Sequence, residues 1–166
     1  MIVNDRADVA LAAGADGVQL GESALPPAVA RRIMGPNCLI GRSVHSLEGA
    51  AAAQAEGADF LVVGAMFPTT THPGVSPAGP GLLRDISRLM DASEEAIPLF
   101  GIGGITEHNA EEVMRAGATG VAVITSILAS ADAGLAAARL KRAMLDSLDT
   151  AVAGTDKSAK GGGAGA

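Results

Sequence analysis

The chain has 166 residues, 48% of them hydrophobic, enough for one domain with its own core. Its 12 Lys and Arg against 18 Asp and Glu leave a formal charge of −6, and with no Trp, no Tyr and three Phe it has neither a basic face nor a stacking platform, which excludes nucleic acid as a partner. A single cysteine, Cys38, excludes an internal disulfide framework, Met1-Ile2-Val3 meets Asn4-Asp5-Arg6 too soon for a signal peptide, and no apolar run reaches membrane-spanning length; the expectation is a cytoplasmic protein with no membrane partner.

Six short apolar runs read as strands buried on both faces: residues 1–5, 17–21, 38–43, 59–64, 98–104 and 120–126. Helices are predicted between them. Arg6 to Ala13 is alanine-rich and stops at Gly14, and Pro26 to Met34 opens on prolines and stops at Gly35. Ser46 caps a helix to Glu56, Leu82 to Met90 has apolar residues at helical spacing, and Thr106 opens a helix to Ala116 with Asn109 at the capping-box position. A last amphipathic helix covers about Ala131 to Leu148. Residues 1–149 thus form the predicted domain, and 150–166, rich in Gly and Ala, read as a disordered tail.

Alternating strands and helices, with the phrases Gly14-Ala15-Asp16, Gly57-Ala58-Asp59 and Gly117-Ala118-Thr119 each set before a strand, predict an α/β fold, a TIM-type (β/α) barrel. Such a barrel closes with eight strands, so six imply that the first two βα units, about 50 residues, are lacking. Open strand edges invite association, and a homodimer is one way to cover them.

In these barrels the loops at the C-terminal strand ends carry the chemistry, and those after the last two strands commonly bind phosphate. Gly103 and Gly104 on one such loop, and Ile124 and Thr125 on the other, fit that role, because glycine lets main-chain N–H groups approach an anion. His45 follows Gly41-Arg42-Ser43-Val44 at another strand end, where an imidazole can take and return a proton. His108, in a helix's first turn, and Cys38 read as structural. The segment 66–81 is a long Pro/Gly-rich loop bearing Thr69, Thr70 and Thr71. Asp5 ends the first strand and offers one carboxylate to Mg²⁺, which usually wants further oxygen ligands.

Asn4-Asp5-Arg6, residues 14–21, Gly41 to Glu48, Phe67-Pro68-Thr69-Thr70-Thr71, Gly101 to Thr106 and Ala116-Gly117-Ala118 together resemble the thiamin phosphate synthase and thiazole tautomerase superfamily, in order, from about residue 1 to residue 145. The resemblance begins at what would be the family's third strand. Synthases of this kind join a pyrimidine diphosphate to a thiazole phosphate with Mg²⁺, and tautomerases aromatise the thiazole phosphate by moving a proton. The resemblance implies that Asp5 is a magnesium ligand if the chain is synthase-like. It further implies that Ser43, Thr69 and Thr71 contact phosphate or thiazole groups, and that Gly104, Ile124 and Thr125 hold the thiazole phosphate.

Two departures matter. Ala24 stands where synthases have a second magnesium-binding Asp, with Glu22 nearby as a substitute carboxylate, and His72 stands where they have a Lys beside the leaving diphosphate. Because the wording around His45 is closer to the tautomerase branch, the expectation is an isomerase that aromatises thiazole phosphate, with His45 as proton shuttle and no cofactor. The alternative is a thiamin phosphate synthase (a transferase) with Mg²⁺, and the third reading is a non-catalytic phosphate-binding remnant.

Overall fold

The computed structural model describes residues 1–69, 76–93 and 95–158, the last part of it, 148–158, as helix backbone only. The strands are β1 (Ile2–Asn4), β2 (Gly17–Leu20), β3 (Leu39–Val44), β4 (Phe60–Val63), β5 (Leu99–Ile102) and β6 (Gly120–Ala122). They form one sheet in the order β1-β2-β3-β4-β5-β6, every neighbouring pair parallel. Helices α1 (Ala7–Ala12), α2 (Pro27–Met34), α3 (Leu47–Ala55), α4 (Gly79–Asp91), α5 (Ala110–Arg115), α6 (Thr125–Leu128) and α7 (Ala133–Ser158) connect and follow the strands. The result is an α/β half-barrel with TIM-like topology. None of the helices in the described residues is long and apolar enough to cross a membrane.

Alternation along each strand assigns one face to the helices and the other to the barrel interior. On the helix side lie two cores. Val18, Leu20 and Ile40 pack with Ala7, Ala10, Ala30 and Met34 under α1 and α2, while Val44, Leu61, Val63 and Leu99 join Leu83, Ile86, Met90 and Val113 in a larger cluster under α3, α4 and α5. Alanine on α1, α2 and α3 lets those helices sit close to the strands.

The interior floor alternates large and small. Gln19 pairs in register with Gly41 and Gly41 with Phe60, and Phe60 meets Phe100 edge to face at 5.8 Å between ring centroids. Such an aromatic pair is worth about 1 kcal/mol beyond its buried area. A Cβ on Gly41 would run into the Gln19 amide and the Phe60 ring, and one on Gly120 would press on Phe100 at 3.1 Å. Two of the three phenylalanines therefore close the bottom of the interior, and the glycines make room for them.

Several boundaries differ from the sequence reading. The sixth strand ends at Ala122 because Ile124 turns into helical conformation (φ −118°, ψ −76°) and Thr125-Ser126 begin α6, where the sequence suggested strand through Ser126. The helix expected from Thr106 begins at Ala110. Residues 106–109 form instead a turn in which the Asn109 carboxamide oxygen accepts the Thr106 N–H at 2.8 Å, the capping-box bond without the helix. Ser46 does cap α3, its hydroxyl accepting the Gly49 N–H at 3.0 Å. The last helix continues past Leu148 to Ser158 through an alanine-bearing stretch, so part of the segment read as tail is helical. Residues 159–166 lie outside the described ones.

Candidate functional site

All six strands end at the same face, and a cavity of about 320 Å³ opens there. His45, Ser43, Thr69, Gly103, Gly104, Ile124 and Thr125 all border it. The glycine-rich corner and the histidine thus face one shared space. Thr71 and His72 lie outside the described residues. Asp5 does not border the cavity; its Oδ1 accepts the N–H of Gly21, which does, at 2.6 Å.

The wall after β5 is built by close approach of two loops. Met66 N–H donates to the Ile102 carbonyl at 2.8 Å and Phe67 N–H to the Gly103 carbonyl at 3.0 Å, so the segment after β4 continues alongside the segment after β5. Gly103 and Gly104 have φ of +97° and +65°, and a Cβ on Gly104 would sit 2.5 Å from the Pro68 carbonyl oxygen. Only glycine satisfies both conditions cheaply. The pair is thus required by packing independently of any ligand.

That packing also sorts the main-chain groups. The Gly103 carbonyl is taken by Phe67, and the Gly104 carbonyl accepts the Asn109 amide at 3.1 Å. In a trans peptide the N–H points opposite its carbonyl, so the Gly104 and Ile105 N–H groups are directed away from both partners. Neither has a hydrogen-bond acceptor among the described residues, and the same holds for the Thr125 and Ser126 N–H groups in the first turn of α6. The Ser126 hydroxyl donates to the Ile105 carbonyl and ties the two loops together. Unspent donors from two strand ends thus flank one cavity, an arrangement suited to a phosphate.

The opposite wall is made by side chains. The Ser43 hydroxyl accepts Gln19 Nε2 at 3.0 Å, while Gln19 Oε1 is buried without a partner among the described residues. His45 Nδ1 stands 3.0 Å from Glu22 Oε2, both residues bordering the cavity. Arg42, on the helix side of β3, reaches the loop that carries Glu22: its Nη2 donates to the Glu22 carbonyl at 2.7 Å and its Nη1 to the Leu25 carbonyl at 3.0 Å. Asp5 adopts φ +58° while Gly21 holds its carboxylate.

Sequence reasoning assigned no pairing between His45 and Glu22 and no task to Arg42, since contacts between loops from different strands leave no local pattern. It also read Ser126 as the end of an apolar strand, where the structure places it in α6.

A family model described as "Thiamine monophosphate synthase" matches residues 1–127. The thiamine-phosphate synthase of Mycobacterium sp. (strain KMS) is 49% identical over 145 residues, which is 87% of this chain and 62% of that protein. The thiamine-phosphate synthase of Chloroflexus aurantiacus is 48% identical over 142 residues, 85% of this chain and 63% of the relative. The chain spans roughly three-fifths of the length of these curated relatives, 62% and 63%. Among solved structures, the thiamine phosphate pyrophosphorylase from Pyrococcus furiosus superposes with a TM-score of 0.77 at 41% identity, covering 89% of this chain and 68% of that one.

These likenesses correct the expectation of a thiazole tautomerase and with it the isomerase assignment: the curated relatives are named thiamine-phosphate synthase and the solved structure thiamine phosphate pyrophosphorylase. The motif around His45 misled because a strand-end serine and histidine beside a cavity suit either reaction. With its half-barrel and its matching segment from residue 1 to 127, the chain belongs to the thiamine monophosphate synthase family.

Proposed function

We propose that this chain carries the thiazole-phosphate side of a thiamine-phosphate synthase site and takes part in the Mg²⁺-dependent coupling of thiazole phosphate to a pyrimidine diphosphate, with release of diphosphate. The observation that supports it most is the set of unspent N–H groups at Gly104, Ile105, Thr125 and Ser126 around one cavity. A thiazole phosphate would rest its phosphate on these donors, with Gly103 and Ile124 shaping the rim. Ser43 and Thr69, with Thr71 from the undescribed segment, would orient the ring. Orientation matters because coupling two bound molecules turns a bimolecular encounter into a positioned one.

Magnesium fits a site in which substrate oxygens and water do most of the holding. Among the described residues, Asp5 Oδ1 is engaged by Gly21, its Oδ2 has no partner, and no group of three His, Cys, Asp or Glu side chains converges. One carboxylate plus phosphate oxygens is an ordinary magnesium environment. When bound, the ion supplies positive charge against the departing diphosphate. Ala24, where the family has a second Asp, leaves Asp5 as the carboxylate that would hold it.

The test is direct. The purified chain, given both substrates and Mg²⁺, is expected to release diphosphate, and a chelator is expected to stop it. Absence of diphosphate at any Mg²⁺ concentration, with thiazole phosphate still binding by calorimetry, would replace this reading by binding without turnover.

A further inference from the structure

The geometry around the loop between β2 and α2 points to a positioning relay: we propose that Glu22 fixes the imidazole of His45, and that Arg42 fixes Glu22. For its effect on turnover, this rests on the synthase reading above. The ion pair by itself is weak ground, since the side chains of His45 and Glu22 are 48% and 63% exposed and pairs of that kind contribute little. What distinguishes it is the anchoring of the loop. On one side Gly21 N–H is held by Asp5 at 2.6 Å, and on the other the Glu22 and Leu25 carbonyls are held by Arg42 at 2.7 Å and 3.0 Å. Glu22 therefore leaves a backbone clamped from β1 and from β3, which fixes the point from which its carboxylate reaches His45.

The consequence lies in which ring nitrogen carries the proton. A neutral imidazole donates from one nitrogen and accepts at the other, and a carboxylate accepts only. With Glu22 Oε2 3.0 Å from Nδ1, the neutral ring keeps its proton on Nδ1 and leaves Nε2 as an acceptor. Because His45 borders the cavity, that lone pair is offered to an N–H or O–H donor of the bound substrate. Glu22 and Arg42 are positioning residues in this scheme; they act through His45. The guanidinium reaches its carbonyls from the helix side of β3, so the relay crosses the sheet.

The relay is read by ¹⁵N spectroscopy of histidine-labelled protein at a pH where the ring is neutral, with the His45 signals assigned by their loss in His45→Asn. The native chain is expected to show the Nδ1–H tautomer. Glu22→Ala is expected to shift the ring toward Nε2–H, and Glu22→Gln, whose amide oxygen still accepts, to restore Nδ1–H. Arg42→Met is expected to follow Glu22→Ala, and Arg42→Lys to fall between; the lysine variant carries the test if the methionine one does not fold. In turnover, Glu22→Ala is expected to lower kcat about tenfold with KM for thiazole phosphate unchanged, recovering in Glu22→Gln. A native Nε2–H tautomer, or a ring indifferent to Glu22→Ala, overturns the relay, and a ring indifferent to both Arg42 variants removes Arg42 from it. A chain that shows the tautomer response but releases no diphosphate overturns the synthase reading alone.

Discussion

The two walls of the cavity are held by different physics. On the β5–β6 side the shape is set by main chain against main chain: glycines at positive φ, a loop laid 2.5 Å from where a side chain would begin, and carbonyls consumed so that N–H groups remain. On the β1–β3 side it is set by side chains reaching between loops: Asp5 to Gly21, Arg42 to Glu22, Glu22 to His45. The first kind of wall is rigid and intolerant of added atoms. The second tolerates change in volume and fails when a polar partner is removed.

Substitutions can break that contrast, and they should rank by how much backbone they disturb. Gly104→Val should have the largest effect. It forces a β-branched residue to φ +65° and drives its Cβ toward the Pro68 carbonyl, costing about 3 kcal/mol in a denaturant melt and abolishing phosphate binding by calorimetry. Next comes Gly41→Ala on the barrel floor, where one methyl group must displace the Gln19 amide and the Phe60 ring; overpacking of this sort costs about 1–3 kcal/mol, measured the same way. Ser46→Ala removes the α3 cap, a side-chain contact with solvent at hand, and should cost about 1 kcal/mol without altering ligand binding.

The smallest effect belongs to Asp8, an exposed carboxylate that the Arg6 guanidinium holds down to about 2 from an ordinary 3.8. A group whose folded value is lowered stabilises above its unfolded value and loses that contribution as pH falls through the folded one. Asp8→Asn should therefore differ from the native chain fully above about pH 4, with the difference shrinking as pH falls through about 2 and gone below it, in an acid titration of stability. If instead Asp8→Asn or Ser46→Ala outweighed Gly104→Val, the distinction between the two walls would fail.

The same contrast explains what could be read from the residues alone. The strand ends announced themselves through apolar runs that close on glycine and hydroxyl residues, and the glycine corner at 103–104 was legible through its local condition, the positive φ, while the approach of the Pro68 loop was not. Ser46 likewise sat one residue before its helix, as a cap must. The Glu22–His45 contact was not legible, since 23 positions of chain separate residues that meet only after β2 and β3 pair. Asp5 illustrates the middle case. Its place at a strand end was evident, but that its carboxylate would be spent partly on Gly21, beside the cavity and not on its border, depends on a backbone at φ +58° that no sequence period encodes.

One consequence follows from the strand order. The hydrogen-bonded path from β1 to β6 runs through each strand in turn and does not return, so the sheet is connected in series where a ring would be connected in parallel. Ile2 and Leu39, whose alternation directs them inward, are accordingly 39% and 47% exposed. In a series, loosening at either terminus need not spread, whereas a break at β3 or β4 separates the histidine wall from the glycine wall outright. Amide exchange should therefore slow from both outer strands toward the middle pair, and the two walls should lose their mutual alignment in a single step when that pair opens.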